Sequence, residues 1–567
     1  MSAERRLSFL CAPIATLLSA ALLIAFTPGL AAYFDWPLHL WWAQEFSRNL
    51  SEGTLYPRWM AGANGGYGSP AFVFYGPLAY WVASAATMLS GSALAGLKSV
   101  YIAAVLISAC SCSALYRSPG SDGWLLAVTA TVSPPLLMLV THYNLPAAAL
   151  AASISPWVVA GVQRARTCSA RDVSAIAVPF ALVALAQLPS AFMLGVAALL
   201  LATTRLGAPS GLRTLWIVAG SLATGIGLCA FYVLPALWEL QWVHADALVG
   251  GVLDWRANLL FDPDEPFLQR ARGDAPYLEP VAMGVLSIAT LAWIRQEFSG
   301  THAKKIETRR WFVCTLVLLA LCTPLAASFY TYVPGAAFLQ FGWRWLPLAS
   351  IFAWSAASSI SGRTSKANTL AASIALPAFA LLASFPLLFG TGGSLPPVKR
   401  TSDAQIRWAL SASRLNPPEH VPLSVETTPS GTSTSKLWTT IYGDAVATPL
   451  LERDDTHVWR TLGRTDSVVR MKILCYPAWR VLINQQETPI GCDRDGVIVV
   501  KVPHGSHVIE ATFAMTADRW IGWISSVLTL TALGGFAGWR NWRSRPRRSS
   551  RFSYRNPRPQ APSDPMT

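Results

Sequence analysis

Charged residues are scarce in this sequence. Asp, Glu, Lys and Arg make up 13% of its 567 residues, about half the share of an ordinary soluble domain. That excludes a soluble globule of this length. The nine cysteines form no CxxC pair and show no metal-ligand spacing, which excludes a zinc-finger or CxxC redox module. Seven of them lie in or near apolar runs and read as packing residues. The other two, Cys475 and Cys492, lie in the one extended polar region, where an oxidising compartment admits a disulfide. No solenoid-type repeat is visible.

What is present is apolar. Hydrophobic residues reach 53%, and runs of about 18 or more recur along the chain, each long enough to cross a bilayer. Unpaired backbone groups are not tolerated in lipid, so these runs must be helices. The fold class is an α-helical polytopic membrane protein. The 24 Trp residues suit interfacial belts. The net charge of +14 does not indicate nucleic acid, because the stretch from Arg540 to Thr567 holds eight Arg and one acid and supplies half of it. A basic tail after a last span reads as a cytoplasmic anchor near anionic headgroups.

Arg5 and Arg6 precede an apolar run at about 8–29. Its core is longer than that of a cleaved signal, so it reads as an uncleaved first span with a cytoplasmic N-terminus. Further segments lie near 71–90, 95–115, 124–141, 145–162, 173–187, 190–205, 214–234, 277–294, 311–328, 344–361, 369–389 and 520–539. The basic loops 163–172, 203–205, 295–310 and 361–366 belong inside. This holds if 71–115 crosses only once, which predicts about 12 spans. Residues 390–516 then face outward, and 467–513 alternates apolar and polar residues between the turn sequences NQQE, DRDG and PHGS. The expected organisation is a transmembrane domain over 1–394 with an outer loop at 30–70, a small extracytoplasmic β-sandwich-like domain at 395–516 with a loosely ordered lead-in, a last helix at 517–541 and a disordered cytoplasmic tail at 542–567.

The outer loop concentrates the chemistry. YFDWPLHLWWAQEF (33–46) sets Asp35 four residues before His39, close enough to stack if helical turns extend back to Asp35. The structural alternative is a capping Asp and an interfacial His. Residues 52–81 follow with Tyr56, Arg58, Asn64, Tyr67, Tyr75 and a run of glycines. The glycines permit tight turns and the aromatics offer flat faces to a sugar or an isoprenoid; an aromatic belt with a turn is the alternative.

FDWPLHL, EGTLYPRW and NGGYGSPAFVFYGPLAYW in the first loop, FYVLPALWEL (231–240), FLQFGWRWLPL (338–348) and the closing strand-rich region resemble the membrane proteins called 6-pyruvoyl-tetrahydropterin synthase-related. That family resembles the GT-C glycosyltransferases, multispan enzymes that use polyprenyl-phosphate sugar donors outside the cytoplasm and carry an essential acid in the loop after the first span. The resemblance implies a GT-C-like fold, a polyprenyl-phosphate donor, a cell-envelope glycan or protein acceptor, and Asp35 as the acid. The pattern departs at THYNLPAAALAASISPW (141–157), where Arg and Glu are expected, and at QLPS (187–190), where Gln187 replaces a His. Both departures point to an altered acceptor or to lost activity.

On this reading Asp35 is the general base, and His39 orients it, shares its proton or helps it hold a divalent cation. Two ligands do not define a metal site, so none is assigned. Arg344 and Arg58 are phosphate clamps, since a guanidinium makes forked bonds to phosphate oxygens, or else snorkel to headgroups. Asn64, Tyr67 and Tyr75 line the substrate site, Glu239 is a second acid or the start of an outer loop, and His142 and Asn144 line the acceptor side. The competing functions are a transporter of lipid-linked glycan and a non-catalytic envelope-assembly protein.

Overall fold

The computed structural model describes residues 17–18, 21, 24–27, 29–30, 35–116, 123–141, 143–262, 278–359, 400–411, 417–426 and 437–544. The predicted span at 369–389, His142 and the tail beyond Ser544 lie outside these residues, as does most of the predicted first span.

Among the described residues four helices are long and apolar enough to cross a bilayer: Ala93–Tyr116, Pro146–Arg164, Gly211–Leu228 and Leu278–Phe298. Eighteen to 24 residues reach roughly 27–36 Å, against a hydrocarbon core of about 30 Å. His302–Ala320 and Pro324–Tyr332 make a fifth if the pair, bent by 88°, counts as one. Other predicted spans are divided. The segment at 71–90 becomes Ala71–Phe74 and Leu78–Ser90, parted by the extended Tyr75. The 13-residue second piece reaches about 20 Å, short of a crossing. The 124–141 segment breaks before Pro134, because the residue preceding a proline is pushed out of the helical region. Extended Gln187 separates Ala170–Ala186 from Leu188–Thr203, and the 214–234 segment breaks at Cys229. The expected inner loop at 295–310 is instead mostly helix, with only Gly300 and Thr301 between Leu278–Ser299 and His302–Ala320; Lys, Arg and Glu are good helix formers. The last helix, Ala517–Ser544, exposes Trp520, Ile521, Ile524 and Leu528, an apolar face fit for lipid.

The sheet-forming region holds nine antiparallel strands: β1 (Trp438–Tyr442), β2 (Val446–Arg453), β3 (Thr456–Gly463), β4 (Ser467–Leu474), β5 (Trp479–Ile483), β6 (Gln486–Thr488), β7 (Gly491–Cys492), β8 (Val497–Val502) and β9 (Gly505–Phe513). They form two sheets, ordered β1-β4-β8-β7 and β2-β3-β9-β5-β6. Both contribute to one core, with Val469, Met471 and Val500 from the first sheet and Trp459, Trp479 and Ile509 from the second. Along β4 burial alternates, as the sequence pattern requires. Asn484 and Gln485, both at positive φ, turn β5 into β6 as a two-residue hairpin loop does. β1 to β3 lie upstream of the alternating stretch read from sequence.

The lead-in is more ordered than expected. Asp403–Ser411 is a helix that begins with a reciprocal cap: Ser402 N–H donates to Gln405 Oε1 at 2.8 Å, and Gln405 N–H to Ser402 Oγ at 3.3 Å.

Cys475 and Cys492 are joined in a disulfide across 17 residues. Closing a loop of this size removes about 3 kcal/mol of unfolded-state entropy. Replacing both cysteines by Ser should lower the sheet domain's stability by about that amount. Thermal unfolding of wild type and the double variant measures it, and identical midpoints would show that the bridge adds nothing.

Candidate functional site

The helix Trp36–Ser51 starts with Pro37 in its first turn, a position that suits proline. Asp35 stands just before it. Its carboxylate makes no capping bond, and the residue is exposed, so the capping explanation for this acid falls away. One turn on, His39 N–H donates to Asp35 O at 3.0 Å. The two side chains do not pair as expected: His39 Nδ1 lies 2.8 Å from the Tyr80 hydroxyl, and its Nε2 is buried with no partner among the described residues. Burial lowers the His39 pKa to about 4, with Asp35 opposing, so the ring is neutral at pH 7.

Asp35 acts electrostatically on Tyr75, Arg344 and Glu419 as well. Arg344 lies in the short turn Gly342–Trp345. Its half-buried guanidinium donates to Leu339 O at 2.9 Å and Gln340 Oε1 at 3.1 Å, while its Nε is buried with no partner among the described residues. Burial lowers the Arg344 pKa, and Tyr75, Asp35 and Tyr330 oppose it; an arginine remains a cation regardless. Burial, then Asp35, pushes the Tyr75 hydroxyl well up. Burial raises the Glu419 carboxyl too, and Asp35 adds to it.

Behind Arg344 is a cavity of about 20 Å³ lined by Gln187, Ser190, Trp343 and Leu139, room for about one water. Gln187 Oε1 accepts from Ser190 Oγ at 2.5 Å, and Trp343 stacks on Tyr143 at 4.6 Å. The QLPS departure and the segment containing THYN therefore meet at Arg344. Asn144 is buried beside Tyr143. An aromatic wall completes the site. Trp42 meets Tyr75 at 4.8 Å and His420 at 5.9 Å, and Phe74 stacks on His420. Burial lowers the His420 pKa to about 4.

Sequence reasoning missed Glu419 and His420. They sit in NPPEH (416–420), where prolines masked an adjacent acid and imidazole. Asp35 and Glu419 are the two carboxylates that would face a divalent cation here. Among the described residues no group of three His, Cys, Asp or Glu converges to hold one.

The other predicted residues form two separate groups. Arg58 donates to Phe231 O at 2.9 Å and covers the Tyr56 ring at 4.4 Å; its charged neighbours are Arg519, Glu239 and Asp518. Glu239 is buried and accepts from Arg519 Nε at 2.7 Å, Arg519 Nη2 at 2.9 Å and the Tyr476 hydroxyl at 2.6 Å. Both of its oxygens are engaged within the protein. Asn64 and Tyr67 form a docking turn. Asn64 Nδ2 donates to Gly68 O at 2.9 Å, Tyr67 O accepts from Leu474 N–H of β4 at 2.8 Å, and Arg470 and Lys472 lie over the Tyr67 ring. Residues that sequence grouped as one substrate loop thus divide between the Asp35 site and the seat of the sheet domain.

A further clamp fixes that seat. Arg48 bridges Glu45 and Asp454, at 2.7 and 2.8 Å, and Asn49 Nδ2 donates to the same Asp454 at 2.5 Å. The helix that begins at Asp35 is held by the turn between β2 and β3.

Among solved structures, the chain is similar to the arabinofuranosyltransferase AftD from Mycobacteria, at 16% identity and a TM-score of 0.43, over 68% of this chain and 26% of that one. It is also similar to ArnT from Cupriavidus metallidurans bound to undecaprenyl phosphate, at 13% identity and a TM-score of 0.27, over 64% of this chain and 78% of that one. The chain spans about a quarter of the length of AftD. No curated protein matches it. Residues 72–391 match the family described as 6-pyruvoyl-tetrahydropterin synthase related domain, membrane protein; the acid-bearing segment at 33–46 and the sheet domain lie outside that stretch. With more than half of its length matched, this chain belongs to the 6-pyruvoyl-tetrahydropterin synthase-related family of membrane proteins.

Proposed function

We propose that this protein is a membrane glycosyltransferase that moves a sugar from a polyprenyl-phosphate donor to a cell-envelope glycan or protein acceptor, on the outer face of the inner membrane. One observation carries the reading. An exposed carboxylate that caps nothing, Asp35, shares its field with a half-buried arginine whose Nε has no partner among the described residues.

The acceptor hydroxyl gives its proton to Asp35 as its oxygen attacks C1 of the sugar. The C1–oxygen bond to the phosphate breaks, and the phosphate leaves with the charge that Arg344 stabilises. His39 is neutral, so it acts by fixing Tyr80 and the aromatic wall rather than as a cation. Asp35 and Glu419 would be the carboxylates nearest a divalent cation brought in with the donor phosphate, where such an ion would offset the phosphate charge. The disulfide supports an extracytoplasmic sheet domain, and the basic loops support cytoplasmic termini. A non-catalytic assembly protein is the second reading, favoured by Gln187, whose Oε1 is held by Ser190 and which does not titrate.

Arg344 provides the test. In purified protein given a polyprenyl-phosphate sugar and an envelope acceptor, Arg344→Gln should lower transfer about 10²-fold. Arg344→Lys should recover only part of it, because an ammonium cannot make the forked contact. Transfer equal to wild type in Arg344→Gln would remove the clamp from the mechanism, and no transfer by wild type would favour the assembly reading.

A further inference from the structure

The helices Pro146–Arg164 and Ala170–Ala186 lie side by side, and Gly161 lets them approach: a Cβ there would meet Ala175 O at 2.7 Å. Beside this contact runs a groove of about 650 Å³. Its wall is apolar, with Trp157, Val178, Pro179 and Leu182, and its end carries Arg164 and Arg171 with one acid, Asp172. Val178 is exposed, as a residue facing lipid would be.

The cationic end is at the far side of the membrane from Asp35. Pro146–Arg164 starts just after Tyr143, which stacks on the neighbour of Arg344. Its 19 residues carry it about 28 Å, close to the hydrocarbon thickness. Ala170–Ala186 runs back and delivers Gln187 to the Arg344 cavity.

Two arginines against one acid leave a net positive charge at that end. Asp172 is taken up by its own loop, accepting from Thr167 N–H at 2.8 Å and Thr167 Oγ1 at 3.0 Å. Arg164 donates to Ala114 O. Neither Arg164 nor Arg171 has a carboxylate partner among the described residues. A neighbouring cavity of about 220 Å³ adds Arg166, Arg205 and Arg310 against one acid, Glu307. A basic pocket between membrane helices on such a face suits an anionic headgroup.

We propose that this groove binds an anionic phospholipid of the bilayer, its phosphate between Arg164 and Arg171 and an acyl chain along Trp157, Val178 and Leu182. The site is distinct from the Asp35 chemistry and does not depend on it.

Native mass spectrometry of the full chain released from nanodiscs tests this, with phosphatidylglycerol compared to phosphatidylcholine of the same chains. Wild type should retain phosphatidylglycerol about 25-fold better, since each of the two cations near an anionic surface contributes about fivefold. Arg164→Gln with Arg171→Gln should abolish the preference. Val178→Trp, which fills the wall without changing charge, should weaken retention of both lipids. Arg166→Gln with Arg310→Gln removes equal charge from the same face outside the groove and should leave the preference largely intact. Equal retention of the two lipids by wild type overturns the proposal. So does a loss from the Arg166 and Arg310 pair as large as that from the groove pair, and so does displacement of the lipid by millimolar inorganic phosphate, which would mark a site for free anions. Thermal unfolding of each variant separates loss of lipid from loss of fold.

Discussion

Asp35→Asn should lower sugar transfer about 10³-fold while leaving the protein at its normal level in the membrane. The substitution keeps the size and shape of the side chain and removes only its ability to take a proton. The carboxylate is exposed and caps no helix. A surface change of this kind costs within about 0.5 kcal/mol. Activity and stability should therefore part at this position. The measurement is a lipid-and-glycan profile of cells carrying wild type, a deletion, or Asp35→Asn at matched abundance. The expected result is that Asp35→Asn matches the deletion, with a glycan missing or a polyprenyl-phosphate sugar accumulating. The missing product then identifies the acceptor. If the deletion has a glycan defect that Asp35→Asn lacks, the catalytic reading of Asp35 is wrong, and assembly or transport becomes the better account.

Asp35 was legible because an ionisable residue at the end of an apolar run is costly and stands out in one dimension. Arg344 was found through its landmark sequence, but its proximity to Asp35 is a tertiary fact, 309 positions away along the chain. Glu419 and His420 were missed for the same reason: only folding brings a Pro-rich segment against Trp42 and Phe74. The sheet domain was visible in its alternation from Ser467 onward, where one face of β4 is buried. β2 was not, because seven of its eight residues are exposed and no two-residue period reports its pairing. Composition alone does not show where a long apolar segment is divided. An apolar run fixes burial, but Pro134, Gln187 and Tyr75 decide where the helix breaks. The glycine-rich loop is ambiguous in sequence because turn-forming and aromatic residues suit a ligand and a docking surface equally. The cross-domain bond from Leu474 to Tyr67 shows it seating the sheet domain.

Glu239 is where the structure most changes the sequence reading, and it carries the second large prediction. Glu239→Gln should destabilise the protein by about 3–5 kcal/mol, the usual result of leaving a buried charge without its partner. Arg519 is 1% exposed. It gives two bonds to Glu239 and one to Ala514 O at 3.0 Å, and its guanidinium lies 4.5 Å from the Phe513 ring centroid. Tyr476 donates the fourth bond of the group. This network ties the end of Ala230–Trp238 to the sheet domain and to the start of Ala517–Ser544. Arg519→Met strands Glu239 in the same way. The double variant Glu239→Leu with Arg519→Met removes both charges and should recover much of the loss, because apolar pairs of similar volume often replace buried ion pairs at little cost. The coupling between the two positions, read from the unfolding midpoints of wild type, Glu239→Leu, Arg519→Met and the double, should be large and of the sign that marks a direct pair. A substrate-binding Glu239 gives the opposite pattern. Glu239→Gln would then hold its midpoint and lose transfer, and the double variant would fold no better than Arg519→Met alone. Stability should move first because both carboxylate oxygens of Glu239 already accept from the protein's own donors.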